Sequence, residues 1–401
     1  MRIVKRILIV LLAVILLAQV PFIYRRYQTG KLAQRIAELN ASRPAMQDDG
    51  YSDLKGIIHA HTSLGGHSTG GFEELLAGAR QNGLDFVVMT EHYSEDYDTS
   101  ALTLNGYYGD TLFVGGNEVD TADGDRFLLI PGSSEAAAFR NVPTDKFLEK
   151  IHAEGRVALI TYPEKFKTWD SAFDGIETYS LHTNAKRMNP LTAIFDMIWS
   201  YPAYPALTFA THFQRPDENL KRFDEIANRR RITMFGGTDA HSNIGFHLFG
   251  DDAGNKLINA KIDGYGTIFQ IARVHILLKN GTPLTRESLT DAIRDGHFYT
   301  GFDVIGETTG FRFTAENAGG EQIMGDEIAA EGGVKLSVRT PIATRIVIFR
   351  NGEVFREAEN AAELTVDAAE AGVYRVEAYQ NALGAPFDKM PWIISNPIYV
   401  R

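Results

Sequence analysis

The chain of 401 residues contains no cysteine. This absence excludes disulfides, thiolate nucleophiles, iron–sulfur clusters and cysteine-ligated zinc from its chemistry. Basic residues are in deficit as well, because 40 Lys and Arg stand against 51 Asp and Glu and give a formal net charge of −11. An overall field of that sign does not favour nucleic acid, so we expect no nucleic-acid partner. If such a protein handles anions, it must concentrate positive charge locally, on metal ions or on a few Arg and Lys.

One apolar run near the N-terminus is long enough to cross a membrane. Between Ile7 and Tyr24 only Gln19 is clearly polar. About 18 helical residues at about 1.5 Å each span roughly 27 Å, close to the thickness of the hydrocarbon core. The residues that follow Ala18 make a poor signal-peptidase site, so we predict that residues 1–26 are an uncleaved membrane anchor. A removed signal peptide is the alternative.

The segment after the anchor is predicted to be a spacer. Residues 27–50 combine apolar positions at helical spacing (Leu32, Ile36 and Leu39) with a polar, Pro-containing stretch, which indicates a short stalk and a linker. Signal-anchor logic places the rest of the chain outside the cytoplasm, on the periplasmic side. We therefore expect a single-pass membrane protein with an extracytoplasmic catalytic part.

After Tyr51, short β-branched runs alternate with helical patterns, which is typical of a parallel sheet or barrel. Seven runs finish in groups that can bind a metal or move a proton. They end at His59 and His61, Glu91 and His92, Glu118, Tyr162 and Glu164, Glu177 and His182, His212, and Asp239 and His241. The carboxyl ends of parallel barrel strands share one face, so the pattern predicts that these side chains meet there.

Three histidines are crowded into "IIHAHTSLGGHS" at the end of the first run. His59 and His61 are two apart on a strand, so both side chains are predicted to point to one face and bind one ion. His67 lies in the loop beyond and can hold a neighbouring ion. Histidines and carboxylates without thiolates suit Zn, Mn or Fe.

The combined motifs resemble the polymerase and histidinol phosphatase (PHP) domain from about Gly56 to Phe302. The matching features are the His-x-His pair with a later histidine, Thr-Glu-His where the family has Thr-Asp-His, a strand-end glutamate, a glutamate strand with a nearby histidine, and a closing Asp-x-His. The chain departs from the family at Tyr162-Pro163, where the family usually has His-Pro.

The resemblance implies an α/β fold, a distorted (β/α)7 barrel over residues 51–304, with two to three divalent ions. In this implied arrangement the first ion takes His59, His61, Glu118 and Asp239, the second shares Glu118 and takes His182, and the third takes His67, His92 and His241. Tyr162 puts the second site in doubt, because a phenol with a pKa near 10 is a poor ligand at neutral pH unless a metal lowers that pKa. The second site is then weaker, uses Tyr162 as a phenolate, takes His212 as a ligand, or is absent, and we expect at least two ions.

The leading hypothesis is a metal-dependent phosphoesterase that acts on a small-molecule phosphomonoester or diester. His212 or His247 is predicted to protonate the leaving alcohol. Arg187, with Lys165, Lys186 and Arg215, is predicted to grip phosphate oxygens.

Two other functions remain open. The same metals can hydrolyse a carboxylic ester, amide or carbamate, with Tyr162 donating a hydrogen bond to the oxyanion. The third hypothesis is a non-catalytic, metal-binding accessory module.

From about Glu307 the pattern changes to period two, and Asn351-Gly352 predicts a hairpin turn. We expect residues 305–401 to form a small all-β sandwich. This resembles the sandwich appended to some membrane- or export-associated PHP proteins. The segment has no ligand cluster, which favours packing, substrate shaping or partner binding.

Overall fold

The computed structural model describes residues 2–45, 48–250 and 256–401, with the side chains of 245–250 and 256–260 excepted. Within these residues the chain is a mixed α/β protein. The α-helices are α1 (Arg2–Ala41), α2 (Phe72–Gln81), α3 (Thr99–Leu102), α4 (Thr144–Ala153), α5 (Leu181–Lys186), α6 (Pro190–Trp199), α7 (Pro205–Ala210), α8 (Asp217–Ala227), α9 (Tyr265–Ile268) and α10 (Arg286–Asp295).

The strands of the first three quarters of the chain are β1 (Tyr51–Ala60), β2 (Phe86–His92), β3 (Gly106–Tyr108), β4 (Thr111–Asp120), β5 (Arg126–Ile130), β6 (Val157–Ile160), β7 (Gly175–Ser180), β8 (Thr233–Gly237), β9 (Gly245–Gly250), β10 (Lys256–Lys261), β11 (Arg273–Lys279) and β12 (Phe298–Gly301). The remaining strands are β13 (Arg312–Asn317), β14 (Gly320–Ile323), β15 (Glu327–Ile328), β16 (Val334–Arg350), β17 (Glu353–Ala368), β18 (Gly372–Tyr379), β19 (Ile393–Ser395) and β20 (Ile398–Val400).

The predicted anchor and stalk form one continuous helix, α1. It is long and apolar enough to cross a membrane, a property that a signal sequence near the N-terminus shares. Pro21 lies inside the helix. The apolar side chains before Gln19 are exposed, whereas Thr29 and Ile36 are buried against the rest of the protein. The C-terminal part of α1 is therefore a packed element of the fold.

The sheet that positions the site has the strand order β11–β1–β2–β4–β5–β6–β7–β8. The pairs β1–β2, β2–β4, β6–β7 and β7–β8 are parallel, whereas β4–β5 and β5–β6 are antiparallel. The strand β5, which returns from β4 after a short polar turn, was not predicted from the sequence. The predicted distorted (β/α)7 barrel is not confirmed. Between β1 and the segment after β8, the described residues form an isolated bridge, Ala60 to Ala240, and a few backbone hydrogen bonds instead of a paired strand.

One predicted strand is a helix in the structure. "PALTFATH" was expected to be a strand that ends at His212, but Pro205–Ala210 is the helix α7. Pro205 occupies the first helical turn, where its fixed φ and missing N–H are tolerated. A short apolar run has no periodicity that separates a buried strand from a buried helix, so the sequence pattern could not decide.

The C-terminal strands continue the same hydrogen-bonded network. β19 pairs with both β12 and β18, so the last quarter of the chain is joined to the first part by backbone bonds. The predicted turn at Asn351-Gly352 links β16 and β17, and both residues have positive φ, as a type I′ turn requires. The sandwich and the boundary at residue 304 stay predictions.

Candidate metal centre

Four side chains from distant parts of the chain meet at one end of the sheet. His59 lies on β1, His61 directly follows it, Glu118 lies on β4, and Asp239 follows β8. All four are buried, and one ligand atom of each lies within 4.8 Å of the other three. This is the set that the PHP resemblance implied for the first ion.

The contacts within this set join imidazole nitrogens to carboxylate oxygens. His61 Nε2 lies 3.3 Å from Glu118 Oε2 and 3.3 Å from Asp239 Oδ1. His59 Nε2 lies 3.2 Å from Asp239 Oδ1 and 3.7 Å from Glu118 Oε2. The nitrogen and oxygen atoms thus surround a common point and do not pair off.

Several of these buried atoms have no hydrogen-bond partner within the described part of the chain. They are His59 Nε2, both ring nitrogens of His61, Glu118 Oε2 and Asp239 Oδ1. Polar atoms that are buried without a partner are costly, and native structures seldom keep several in one place. A divalent cation that accepts one lone pair from each of these four side chains removes most of the cost, so the residues present fit a metal ion.

The protonation states of His61 and Glu118 suit this role. Burial lowers the pKa of His61 to about 3, which leaves a neutral imidazole at physiological pH. Burial opposes ionisation of Glu118, but the interaction with His59, whose Nε2 lies 3.7 Å away, and with the other neighbouring histidines outweighs that effect and lowers its pKa to about 2. A neutral imidazole beside an ionised carboxylate is the donor combination that Zn, Mn and Fe accept.

His59 is held from its other ring nitrogen by Glu177. His59 Nδ1 lies 2.9 Å from Glu177 Oε1, and Thr161 Oγ1 donates to Glu177 Oε2 at 2.5 Å. A carboxylate in that position fixes the ring and its tautomer, so that Nε2 faces the metal site. Gly237 makes room for the carboxylate, because a Cβ there would lie 1.8 Å from Glu177 Oε1. Burial penalises the charged form of His59, yet Glu177 and Asp239 hold its pKa above the usual range.

A second group of possible ligands adjoins the first. His61, His92 and His241 each offer an atom within 4.8 Å of the other two. His92 Nδ1 also lies 3.5 Å from Glu118 Oε2. The predicted third ion used His67 instead of His61. Here the His67 ring is exposed, and its centroid lies 4.7 Å from that of His92.

His182, which was predicted to complete a second site with Glu118, lies at the start of α5. Its ring centroid is 6.3 Å from that of His241, and burial lowers its pKa. The structure therefore groups six of the eight predicted metal ligands by ligand-atom distances within 4.8 Å. His67 and His182 lie at the edge of this group, next to His92 and His241 respectively.

Three residues of the site have backbone conformations that L-residues seldom adopt. The φ angles are 76° at His59, 52° at Tyr162 and 47° at Asp239. The register between β1 and β2 is also irregular between Ile58 and Ala60. Such conformations cost free energy and concentrate at functional sites. The two-residue periodicity that predicted His59 and His61 on one face did not reveal this turn of the backbone.

Tyr162 is placed against the ligands as a neutral phenol. Its hydroxyl donates to Asp239 Oδ2 at 2.6 Å. Burial and the neighbouring carboxylates Asp239 and Glu118 raise its pKa far above 10. The phenol is therefore a hydrogen-bond donor to Asp239 in this structure.

Three cations surround the Tyr162 ring. Arg126, Lys165 and Lys186 have their charged groups 5.6, 5.4 and 6.0 Å from its centroid. Arg126 also lies 3.4 Å from Glu118 Oε1, and no sequence motif pointed to it. Arg126 was missed as a site residue because it lies on β5, the strand that the sequence pattern did not predict.

The other predicted catalytic residues lie elsewhere. His212 Nε2 lies 2.9 Å from Asp196 Oδ2, which Arg25 of α1 also contacts. Arg187 is exposed just after α5, and Arg215 makes two bonds to Glu377. The His247 side chain lies outside the described residues. His212 and Arg215 are thus engaged in ion pairs away from the ligand group.

No protein-family model matches the chain, and no curated protein matches it. Solved structures give weak similarities. A two-domain protein from Bacteroides vulgatus that contains a predicted PHP-like metal-dependent phosphoesterase is 15% identical, with a TM-score of 0.37, over 88% of this chain and 98% of that one. PsfC from Pseudomonas syringae is 14% identical, with a TM-score of 0.31, over 59% of this chain and 88% of that one.

Proposed function

We propose that the chain is a metal-dependent phosphoesterase that binds two to three divalent ions. The observation that supports the metal is the set of partnerless buried atoms on His59, His61, Glu118 and Asp239 within the described residues. The observation that supports an anionic substrate is the group of cations around Tyr162, next to those ligands. A phosphate ester needs both features, since its charge must be bound and its phosphorus made electrophilic.

The ligand set would hold the metal, which supplies Lewis acidity and lowers the pKa of a coordinated water. The chain's own residues would do the rest. Lys165 and Lys186, which form no ion pair within the described residues, would bind phosphate oxygens. The Tyr162 hydroxyl would donate to a phosphoryl or leaving oxygen. In the net reaction, water oxygen bonds to phosphorus, the ester P–O bond breaks, and the alcohol leaves with a proton.

We further propose that α1 is retained and anchors the protein. The poor signal-peptidase site after Ala18 supports retention. In the retained helix, Phe22 stacks on Phe195 at 4.3 Å between ring centroids. Arg25 Nε also donates to Asp196 Oδ1 at 2.9 Å. These contacts fix the end of the apolar run against the rest of the protein, and signal-anchor logic then places the metal centre on the periplasmic side.

A second candidate function is hydrolysis of a carboxylic ester, amide or carbamate. The neutral Tyr162 hydroxyl favours it, because a fixed donor beside a metal can stabilise the oxyanion of a tetrahedral intermediate. The cations around the ring favour phosphate instead, since a neutral ester gives them nothing to bind.

The test uses the full chain in detergent, stripped of metal and reloaded with Mn, Zn or Fe. The substrates are p-nitrophenyl phosphate, its bis-ester, p-nitrophenyl acetate and an aryl carbamate. We expect phosphate-ester turnover that His61→Ala abolishes, with loss of bound metal. His297→Ala is the matched control, because His297 pairs with Asp326 far along the chain from the ligands.

Each other outcome decides against the proposal. Turnover of the acetate or carbamate alone would establish the second function. Stoichiometric metal without turnover of any of the four substrates would favour the accessory module. A chain that binds no divalent ion would refute all metal-dependent functions together.

A further inference from the structure

An apolar cavity opens beside the candidate metal centre. His182, Asp239 and His241 form one part of its wall. Most of the remaining wall is apolar and includes Leu181, Met188, Phe209, Phe213 and Ile271. None of the described residues that line it is Lys or Arg. The cavity is therefore suited to a hydrocarbon group and unsuited to a phosphate.

The cations of the site do not line this cavity. Lys165, Lys186 and Arg126 surround Tyr162, which contacts Asp239 but does not line the cavity. A ligand bound across Asp239 would meet positive charge at one end and apolar side chains at the other. That division of polarity matches an amphiphile.

The helix α6 presents an apolar face to the outside. Leu191, Ile194 and Ile198 have 63%, 58% and 57% of their surface exposed. Their spacing of three and four residues places them on one side of the helix. A contiguous apolar surface of this kind marks a contact with a membrane or a partner.

The position of α6 against α1 identifies the membrane as the occupant. Phe195 stacks on Phe22, and Trp199 Nε1 donates to Gln19 Oε1 at 3.0 Å. These α1 residues lie at the end of the apolar run, where the helix leaves the hydrocarbon region. The exposed face of α6 is thus continuous with the membrane-crossing surface, at the depth of the headgroup and acyl boundary.

Residues that flank α6 at both ends contact the cavity or its wall. Met188, two residues before α6, lines the cavity. Tyr201, two residues after α6, packs edge-on against Phe209, another lining residue, at 6.0 Å between centroids. Hydrocarbon surface therefore extends from the membrane along α6 to the metal ligands.

We propose that the substrate is a membrane-resident amphiphile, a phosphate ester whose hydrocarbon chain reaches this cavity along α6. The phosphate part of this proposal and the membrane anchor α1 rest on the proposed function. The membrane contact of α6 and the hydrocarbon site do not depend on the reaction, so they are tested without turnover.

The first experiment measures the depth of α6. Because the chain has no cysteine, Ile194→Cys carries a single environment-sensitive fluorophore, and Ala318→Cys in the exposed β13–β14 turn is the control. In lipid nanodiscs we expect the label at 194 to have blue-shifted emission and to be quenched by spin-labelled lipids, with the label at 318 unaffected. A label at 194 as aqueous as the one at 318 would overturn the membrane contact.

The second experiment measures chain-length selectivity in the same nanodiscs. Equilibrium dialysis compares butyl and octyl phosphate binding to the metal-loaded wild-type chain and to metal-loaded Ala185→Trp, in which the indole fills the cavity. Partition into lipid is the same for both proteins and cancels in the comparison. We expect the octyl-over-butyl preference of the wild-type chain to be about tenfold larger than that of Ala185→Trp, as burial of about two methylene groups requires. Equal preference in the two proteins would refute the hydrocarbon site.

Phosphate release from the two esters separates the two proposals. If neither ester is hydrolysed while the octyl preference persists, the phosphoesterase function fails and the amphiphile site stands. If both are hydrolysed at equal kcat/KM and bind equally, the phosphoesterase function stands and the amphiphile proposal fails.

Discussion

His59 is fixed through both of its ring nitrogens. Nε2 faces Asp239 and Glu118, while Nδ1 lies 2.9 Å from the buried carboxylate of Glu177. The conformation of its backbone, with φ of 76°, aims the ring away from the ordinary strand direction. The ring is therefore held in the orientation that metal binding would require, and Glu177 is the group that orients it.

Replacement of Glu177 by Gln should weaken metal binding without removing a ligand. The amide keeps the shape but loses the charge that orients His59, so we expect metal affinity to fall about 10- to 100-fold. Competition with a chromogenic chelator measures the change. The exposed Glu164 provides the matched control, Glu164→Gln, and equal losses in the two proteins would contradict the role of Glu177.

At the scale of elements, β11 is tied to the segments around it by a buried charge. His275 Nδ1 lies 2.9 Å from Asp53 Oδ1 on β1, and His275 Nε2 lies 3.2 Å from Asp303 Oδ2 after β12. Burial opposes protonation, but Asp303 and Asp53 outweigh it and raise the pKa of His275 to about 10. Since both nitrogens face carboxylates, the imidazolium acts as a structural cation.

The stability that His275 contributes should depend on pH. Its pKa is raised on folding, so the contribution is complete below the unfolded pKa of about 6.5 and disappears as pH rises through about 10. We expect the stability advantage of the wild-type chain over His275→Gln to shrink by about 1 kcal/mol per pH unit between roughly pH 7 and 10. Thermal midpoints in detergent measure this, and a constant difference would refute the charged state.

A second buried charge joins β18 to α8. Arg375 makes two bonds to Asp224, at 2.7 and 2.8 Å, and one to Glu377 at 2.5 Å. Because these carboxylates stay buried when the cation is removed, Arg375→Met should cost about 3–5 kcal/mol of unfolding free energy. Arg345→Met, which breaks more exposed pairs with Glu357 and Glu359 on the same sheet, should cost less than about 1 kcal/mol. Similar thermal midpoints for Arg375→Met and Arg345→Met would show that the buried pair adds nothing.

For the whole molecule, the proposed anchor α1 would hold the candidate metal centre at a fixed distance from the membrane. The helix α1 packs on the rest of the protein through Arg25 and Ile36, so the centre cannot move freely on a flexible tether. That arrangement suits a substrate that lies in the bilayer.

The side of the membrane is open to a direct test. The cysteine of Ala318→Cys should react with a membrane-impermeant maleimide in intact cells, because the chain after the anchor is predicted to lie outside the cytoplasm. Lysed cells give the total labelling, and a cysteine-free wild-type chain gives the background. Labelling only after lysis would place the metal centre in the cytoplasm and reverse the predicted orientation.

The amino-acid sequence by itself determined the types of chemical group and where along the chain they fall. The sequence pattern predicted β1, β2, β4, β6, β7 and β8, because each is a short apolar run that ends in potential ligands and such a run can be recognised without a structure. The absence of cysteine and the apolar N-terminal run needed no structure either. Likewise, Asn351-Gly352 fixed its turn, because positive φ at two successive residues is a local requirement.

Only the tertiary structure decided which groups meet. Arg126 reaches Glu118 because β5 turns back antiparallel, and His212 is diverted to Asp196 because its predicted strand is a helix. The strained backbone at His59 and the protonated Tyr162 also depend on neighbours from distant segments. Distances and desolvation are properties of packed side chains, and no spacing along the chain encodes them directly.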